Sequence, residues 1–326
     1  MTAVIALRSV SKRFPLKQDL FARARRRIQG IAPPVIHAVD GVSLEVRHGE
    51  VLGLAGESGC GKTTVGRMAA GITPPSEGHV LFHGVDRATL HGPAARLPVQ
   101  MIFQDPYASL NPRLRVAEII GEAPRVHLLI TGSEDAYVDA QLRRAGLDPA
   151  DKHRYPHQFS GGQRQRIAIA RALAVRPEVL VCDEAVSALD VSIQAQILNL
   201  LMDLRSALGL TCLFISHDLG VVRHLSDQVA IMYLGTIIEQ ADTASVFARP
   251  NHPYTHQLLS EAPRLDARKR HFRALGGEAP SAMAPPPGCR FHPRCPHAFA
   301  RCRTERPLLR PIAPGHHSAC HLNDHP

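Results

Sequence analysis

The apolar residues of this chain fall into short continuous runs that alternate with longer segments of helical spacing. Residues 51–55, 179–182 and 211–215 are mostly apolar, and polar residues follow each run at once. Such runs are typical of buried strands, whereas apolar residues at every third or fourth position are typical of amphipathic helices. Strands that alternate with helices predict an α/β fold built on a mostly parallel sheet.

Further strands are predicted in the first hundred residues. Residues 4–14 alternate in polarity and predict an edge strand that ends in an aromatic residue, and three more strands are predicted at 42–46, 79–82 and 99–103. Residues 15–35 are polar, basic and proline-terminated, which indicates an inserted loop.

Helices are predicted in the middle of the chain. Residues 116–150 have helical spacing and predict a helical subdomain, and residues 164–174 predict another helix. Asp190 or Ser192 would cap the helix that follows. That helix carries one apolar stripe, which we interpret as core packing: Ile193, Ile197, Leu200, Leu201, Leu204 and Leu208.

The strongest chemical signal follows the strand at residues 51–55. The sequence there reads G-x4-G-K-T and continues as a helix, and this order of strand, glycine loop and helix predicts a phosphate-binding loop. Lys62 is expected to reach the β- and γ-phosphates of a nucleotide, and the Thr63 hydroxyl to ligate magnesium. The loop consists of Gly56, Glu57, Ser58, Gly59, Cys60, Gly61, Lys62, Thr63 and Thr64.

Two acidic residues supply the second half of an ATPase site. Asp183 and Glu184 end the apolar run at 179–182, about 120 residues after the loop. Asp183 suits a contact to magnesium, and Glu184 suits the polarisation of an attacking water. Acids after a strand are common on surfaces, so this interpretation depends on the phosphate loop.

A third motif, Phe159-Ser160-Gly161-Gly162-Gln163, lies between these two, and together they resemble the ATPase subunits of ABC transporters. Phe159 stands where leucine is commoner in that family. The resemblance covers roughly residues 4–250 and extends to Gln104 as the glutamine loop, Ser187-Ala188-Leu189-Asp190 as the aspartate loop and His217 as the switch histidine.

The resemblance implies a fold, two cofactors and a set of roles. It implies a P-loop ATPase core with an antiparallel β subdomain and a helical subdomain, and binding of ATP and Mg²⁺. Catalytic roles are implied for Glu184, His217 and Gln104, and magnesium contacts for Thr63, Gln104 and Asp183. Besides the phosphate loop, the implied nucleotide contacts are Phe14, Gln104, Ser160, Gly161, Gly162, Gln163, Asp183 and Asp190.

Two of these implied nucleotide contacts are also supported by the chemistry of the residues themselves. Phe14 is a candidate for stacking on adenine, with core packing as the alternative. Ser160 and the amides of Gly161 and Gly162 begin a predicted helix and form an anion site. In the ABC family that site acts in trans, on the ATP held by a second ATPase subunit.

Four further segments are similar to the oligopeptide/dipeptide importer branch of the family. They are residues 102–112, 184–192, 251–255 and 285–296. The resemblance implies an ATP-binding subunit that energises import of di- or oligopeptides, with permease subunits, a second ATPase subunit and an extracytoplasmic solute-binding protein as partners. The alternatives are an importer of nickel or glutathione, and a non-transport ABC ATPase acting on nucleic acid.

Composition and charge restrict the location. The chain has 326 residues, 44% of them hydrophobic, and no apolar run of eighteen. Its start lacks the apolar stretch of a signal peptide, so we expect a protein at the cytoplasmic face of the membrane. The net charge of +9 concentrates at Arg23–Arg27 and in residues 263–326. Such basic runs are solvated surface in most proteins. The functional alternatives are binding of anionic lipid or of nucleic acid.

The last residues of the chain concentrate cysteines as well as charge. Cys289, Cys295, Cys302 and Cys320 are spaced C-x5-C-x6-C-x17-C among prolines and histidines, with too few apolar residues for an independent core. We therefore expect a cross-link. Similar tails in the peptide-importer branch hold a 4Fe-4S cluster, and zinc or free thiols are the alternatives. The predicted division is an ATPase domain at 1–250, with its helical subdomain at about 105–160, and an extension at 251–326.

Overall fold

The computed structural model describes residues 3–16, 34–93, 97–187, 189–261 and 280–324. Within those ranges it contains no helix long and apolar enough to cross a membrane. The basic run Arg23–Arg27, Ala188 of the aspartate loop, and residues 263–279 of the basic tail lie outside the described residues.

Strands and helices alternate along the chain. The strands are β1 (Ala3–Pro15), β2 (Val35–Arg47), β3 (Val51–Ala55), β4 (Glu77–Phe82), β5 (Val85–Asp86), β6 (Val99–Ile102), β7 (Val179–Asp183), β8 (Thr211–Ser216), β9 (Gln228–Tyr233), β10 (Thr236–Asp242), β11 (Arg310–Ala313) and β12 (His316–Ser318). The α-helices are α1 (Lys62–Ala69), α2 (Pro106–Ser109), α3 (Val116–Val126), α4 (Glu134–Arg144), α5 (Gly161–Leu173), α6 (Val191–Leu208), α7 (Leu219–Leu225), α8 (Thr243–Ala248), α9 (Pro253–Glu261) and α10 (Ala300–Thr304).

The larger sheet has the order β11-β12-β10-β9-β3-β8-β7-β6 among the described strands. Its five strands from β9 to β6 are parallel, and β10, β12 and β11 continue the β9 side in antiparallel fashion. The runs at 51–55, 179–182 and 211–215 are the central strands, each buried along its whole length. The predicted α/β class with a mostly parallel sheet is therefore confirmed.

Alternate residues of the central strands belong to two different cores. Val179 and Val181 pack with α1 and with β1 and β2, whereas Leu180 and Cys182 pack with α5 and α6. Successive side chains of a strand point to opposite faces of the sheet, so the sheet is covered on both sides. A layered arrangement of this kind holds the carboxyl ends of the parallel strands in fixed positions.

The smaller sheet has the antiparallel order β2-β1-β4-β5. The prediction of an edge strand at residues 4–14 was wrong, because β1 is hydrogen-bonded to β2 on one side and to β4 on the other. Residues Val4 to Leu7 are buried in succession rather than in alternation, as suits a strand with neighbours on both edges and packing on both faces.

The helical subdomain packs α3 and α4 against α5. Ile120 of α3, Leu142 of α4 and Ile167 of α5 share one buried cluster with Phe159. The predicted helix after Asp190 is α6, and its stripe is buried at Ile197, Leu201 and Leu204, although Leu208 is exposed.

The C-terminal extension is attached to the ATPase core by strand pairing and by a shared apolar cluster. β12 pairs with β10, placing Ser318 opposite Glu239, and Phe291 packs against the rings of Tyr233 and Tyr254 at 5.3 and 5.4 Å. The expected cross-link is therefore not what joins the extension to the rest of the protein, since its apolar residues complete a core that the ATPase domain begins.

Candidate nucleotide-binding site

Four loops meet at one edge of the larger sheet. β3, β8, β7 and β6 are adjacent and parallel, so the residues that follow their carboxyl ends lie side by side. These residues are the phosphate loop after β3, His217 after β8, Glu184 after β7 and Gln104 after β6.

The phosphate loop is built around glycines that no other residue can replace. Gly56 has φ 154° and Gly61 has φ 109°. A Cβ on Gly56 would lie 2.2 Å from the Met232 carbonyl oxygen, and a Cβ on Gly61 would lie 2.1 Å from that of Ala38. No side chain caps the start of α1 at Gly61, so the amides of its first turn, including those of Thr63 and Thr64, face the loop.

Lys62 lies inside this loop. Its side chain is buried, and its ammonium Nζ donates to the carbonyl oxygens of Gly56 at 2.7 Å and Glu57 at 2.9 Å. The ammonium is held where it would meet the phosphates of a nucleotide. Ser58 and Gly59 are exposed at the tip of the loop, while Cys60 is buried and burial raises the pKa of its thiol.

Thr63 and Asp183 come together as candidate magnesium contacts. The Thr63 hydroxyl donates to Asp183 Oδ1 at 2.9 Å. Burial raises the pKa of the Asp183 carboxyl, and the hydrogen bond from Thr63 works against that rise. A hydroxyl and a carboxylate oxygen are the kind of hard ligands that magnesium takes, with nucleotide phosphates and waters completing the coordination.

Glu184 is contacted by both of the other predicted catalytic residues. Gln104 Nε2 donates to Glu184 Oε2 at 2.8 Å, and His217 Nδ1 lies 3.2 Å from Glu184 Oε1. Glu184 has φ 47°, a rare conformation for a non-glycine residue, and its amide donates to the Ile215 carbonyl at 2.9 Å. The carboxylate is therefore aimed at the edge of the sheet by contacts from β6 and β8.

The motif at residues 160–163 begins α5. Ser160 Oγ accepts from the Gln163 amide at 3.3 Å, and the Gln163 side chain accepts from the Ser160 amide at 3.0 Å. A Cβ on Gly162 would lie 2.5 Å from Ile193 Cγ2, whereas Gly161 would meet only Leu189, at 3.3 Å. In the described part of the chain no hydrogen bond joins this motif to the phosphate loop.

The two remaining predicted contacts are exposed. Phe14 is 40% exposed, with the Lys12 ammonium 5.4 Å from its ring. It pairs with Ile36 of β2, two residues before the Ala38 carbonyl that lies against Gly61. Asp190 is the N-cap residue of α6, and its side chain makes no capping hydrogen bond.

The sequence analysis missed a set of contacts that reach the loop from the C-terminal extension. Arg294 donates from both terminal nitrogens to the Glu57 carboxylate, at 3.0 and 3.1 Å, and the Tyr254 hydroxyl accepts from the Glu57 amide at 2.9 Å. No local pattern marks residues that meet across about two hundred positions. In the sequence, Arg294 is one of many basic residues in the segment 263–326, and nothing there distinguishes it from the others.

The tail cysteines approach one another without forming a metal-holding group. The Cys289 amide donates to the Cys302 carbonyl at 2.9 Å. Burial raises the pKa of Cys289 to about 11, and the thiols of Cys302, Cys320 and Cys295 add to the rise. Among the described residues, no cluster of three or more His, Cys, Asp or Glu is placed to hold a metal ion, so the predicted metal centre gains no support from this geometry.

Comparison with protein families gives two matches that divide the chain. Residues 39–187 match the family described as ABC transporter, and residues 238–302 match the oligopeptide/dipeptide transporter, C-terminal region.

Full-length relatives agree with both matches. The chain is 47% identical to the oligopeptide transport ATP-binding protein AppF of Bacillus subtilis over 98% of its own length and 97% of that protein. It is 44% identical to the dipeptide transport ATP-binding protein DppF of Haemophilus influenzae, over 95% of this chain and 94% of the relative.

Solved structures share the fold. The dimeric, post-hydrolysis structure of the ATP-binding cassette MJ0796 bound to ADP and Pi superposes with a TM-score of 0.62 at 25% identity. The match covers 73% of this chain and 98% of that one.

Proposed function

Since this chain belongs to the ABC-transporter ATPase subunits and carries the C-terminal region of the oligopeptide/dipeptide transporters, we propose that it hydrolyses ATP to energise an importer of di- or oligopeptides. One observation supports this proposal most directly. The catalytic candidates Gln104 and His217 both contact Glu184, beside the Thr63–Asp183 pair and the phosphate loop.

We assign the steps of hydrolysis to these side chains. The loop amides and Lys62 bind and orient the triphosphate, and Phe14 stacks on the base. Glu184 accepts a proton from the attacking water, held in place by Gln104 and His217. Thr63, Gln104 and Asp183 would hold Mg²⁺, which supplies charge neutralisation on the phosphates.

The position of the signature motif supports a two-subunit mechanism. Ser160, Gly161, Gly162 and Gln163 make no hydrogen bond to the phosphate loop within the described chain. Ser160 and Gly161 are exposed at the start of α5, whereas Gly162 is buried. We propose that they contact the γ-phosphate of ATP on a second ATPase subunit, with Asp190 beside them. ATP then bridges the two subunits, and its hydrolysis releases them, which drives the permease subunits at the cytoplasmic face of the membrane.

ATP binding tests the nucleotide site itself. Lys62→Ala removes the cation inside the loop and should weaken MgATP binding by at least tenfold, measured by titration with a fluorescent ATP analogue. Arg143→Ala, an exposed cation in the helical subdomain, is the control and should bind normally. Equal affinities for Lys62→Ala and the wild-type chain would contradict the assignment.

Transport tests the solute. The chain is reconstituted with its permease subunits in proteoliposomes, and ATP turnover is measured with the solute-binding protein loaded with di- or oligopeptides. We expect peptide loading to raise turnover. If nickel or glutathione raises ATP turnover and peptides do not, the proposed solute is wrong.

We also propose that Cys289, Cys295, Cys302 and Cys320 are the ligands of an iron–sulfur cluster. The proposal rests on the sequence, where four cysteines are concentrated in one short segment, and on the similarity of this segment to the tails of the peptide-importer branch. Metal and acid-labile sulfide analysis of anaerobically purified protein tests it. One zinc without sulfide would make the site a zinc site, and no metal would leave four reduced thiols.

A further inference from the structure

The C-terminal extension forms an ion pair with the phosphate loop itself. Arg294 ends a 3₁₀ turn at His292–Arg294, and its guanidinium meets the Glu57 carboxylate through two hydrogen bonds of 3.0 and 3.1 Å. The Arg294 side chain is 5% exposed and that of Glu57 is 23% exposed. A bidentate pair this well shielded is more directional and less screened by salt than a surface ion pair.

Glu57 is bound by three different parts of the molecule. Its carboxylate accepts from Arg294, its amide donates to the Tyr254 hydroxyl of α9, and its carbonyl accepts from the Lys62 ammonium at 2.9 Å. The Tyr233 hydroxyl also contacts the Arg294 guanidinium and lies 3.5 Å from its Nη1. The extension therefore contacts the residue whose carbonyl helps to place Lys62.

The charge of Glu57 makes this contact important for nucleotide binding. Glu57 is the acidic residue of the loop, and a carboxylate there repels the phosphates of ATP unless a cation is paired with it. We propose that Arg294 is a positioning residue of the nucleotide site, which neutralises Glu57 and holds the loop in its phosphate-binding shape. This inference rests on the proposed ATPase function.

Other arginines of the extension dock it without touching the loop. Arg290 and Arg306 both pair with Asp40 of β2, the latter at 2.9 Å and with a second bond to the Asp40 carbonyl at 3.0 Å. Asp40 thus provides a place where the extension docks away from the loop, whereas Arg294 pairs with a carboxylate of the loop itself. Arg306→Gln is therefore a matched control, since it removes an extension-to-core ion pair outside the nucleotide site.

The experiment measures MgATP affinity and turnover on the full-length chain. Arg294→Gln should raise the dissociation constant for MgATP by about tenfold and change kcat much less, because Glu184, Gln104 and His217 are untouched. Adding Glu57→Gln to Arg294→Gln removes the unpaired carboxylate and should recover most of the lost affinity. Arg294→Lys keeps the charge without the two-pronged geometry and should fall in between.

Three outcomes would overturn the inference, and a separate one would refute the proposed function. The inference is overturned if folded Arg294→Gln binds MgATP with normal affinity. It is also overturned if Arg306→Gln loses as much affinity, or if the double variant recovers none. Either of these last two results would mean that Arg294 only docks the extension. If Arg294→Gln does not fold, Arg294→Lys and the double variant give the same comparison. A wild-type chain that does not bind MgATP, or binds it as Lys62→Ala does, would instead refute the proposed function.

Discussion

Glu184 combines a strained backbone with a side chain held from two sides. Its positive φ is a conformation that costs on the order of 1–3 kcal/mol outside glycine and persists only where neighbours impose it. Gln104 and His217 contact the Glu184 carboxylate, and the Glu184 amide donates to the Ile215 carbonyl. The carboxylate is thereby aimed at the edge of the sheet rather than left free to rotate.

Replacing Glu184 by Gln should abolish turnover and leave ATP binding intact. The amide has the same shape but accepts no proton from water, and loss of general-base help costs about 10²–10⁴-fold in rate. Phosphate release under saturating ATP measures the loss. Glu178→Gln, at the opposite end of β7, is the matched control. Turnover within a few-fold of wild type in Glu184→Gln would remove Glu184 from the mechanism.

The buried Asp183 carboxyl should make the free energy of unfolding depend on pH. Burial raises its pKa in the folded protein, so the folded state carries a penalty wherever Asp183 is ionised. The penalty is absent below the unfolded pKa, grows as pH rises towards the raised folded pKa, and is complete above it. Asp183→Asn should therefore be more stable than wild type at neutral pH, by about 1 kcal/mol without magnesium.

The measurement is urea unfolding of both proteins at several pH values. The two curves should converge below the ordinary pKa of an aspartate, about 3.9, where Asp183 is protonated in both the folded and the unfolded state. A constant difference at all pH values would show that the gain does not come from the carboxylate charge. In the same variant, magnesium-dependent ATP binding should be lost.

At the scale of elements, β12 extends the ATPase sheet beside a buried contact between a carboxylate and an imidazole. Glu239 of β10 is fully buried and accepts from His316 Nε2 at 2.8 Å and from the amides of Asn251 and His252. Asn251 and Asn323 exchange two side-chain hydrogen bonds of 3.0 Å beside it. The strand pairing and this polar cluster together fix the register of the extension on β10.

His316→Leu should destabilise the protein by about 3 kcal/mol. It leaves the buried Glu239 carboxylate without its imidazole partner, which is far costlier than losing a surface contact. Denaturant unfolding measures the change. The adjacent His317 points to the other side of the strand, so His317→Leu is the control and should change stability by less than about 0.5 kcal/mol. Equal effects of the two substitutions would show that stability depends on the strand itself and not on the contact between His316 and Glu239.

At the scale of the whole molecule, the phosphate loop and the Ser160 motif belong to different parts of the chain. The phosphate loop follows β3, whereas Ser160 begins α5 next to the helical subdomain. Under the proposed two-subunit mechanism, the Ser160 motif of a second ATPase subunit completes the site at this phosphate loop. The extension adds a third part, since it reaches the phosphate loop through Arg294.

Ser160→Arg should prevent ATP-dependent association. In the Glu184→Gln background, MgATP should join the chain to the second ATPase subunit of the same importer, or to a second copy of itself. A bulky cation at the start of α5 would block the approach of the partner's γ-phosphate. Size-exclusion chromatography with MgATP measures the association, and Ser206→Arg, on the exposed side of α6, should associate normally. Association that survives Ser160→Arg would contradict the trans arrangement.

The sequence by itself determined the elements whose signals are local. The buried runs of β3, β7 and β8, the glycine loop and the Asp183–Glu184 pair were all predictable, because strand burial and loop geometry are written in consecutive residues. The adjacency of Gln104, Glu184 and His217 followed from the parallel sheet and from the family resemblance. The geometry of their hydrogen bonds did not, since it depends on strand order.

Only the tertiary structure decided the contacts between distant segments. It placed β1 inside its sheet rather than at the edge, paired β12 with β10, and joined Arg294 to Glu57 across 237 positions. Tertiary packing determines which strand pairs with a given edge and which residue pairs with a buried charge. A local pattern of polarity cannot predict either. For the same reason, the extension lacked an apolar core when its sequence was considered alone, whereas in the folded protein its Phe291 packs against Tyr233 of β9.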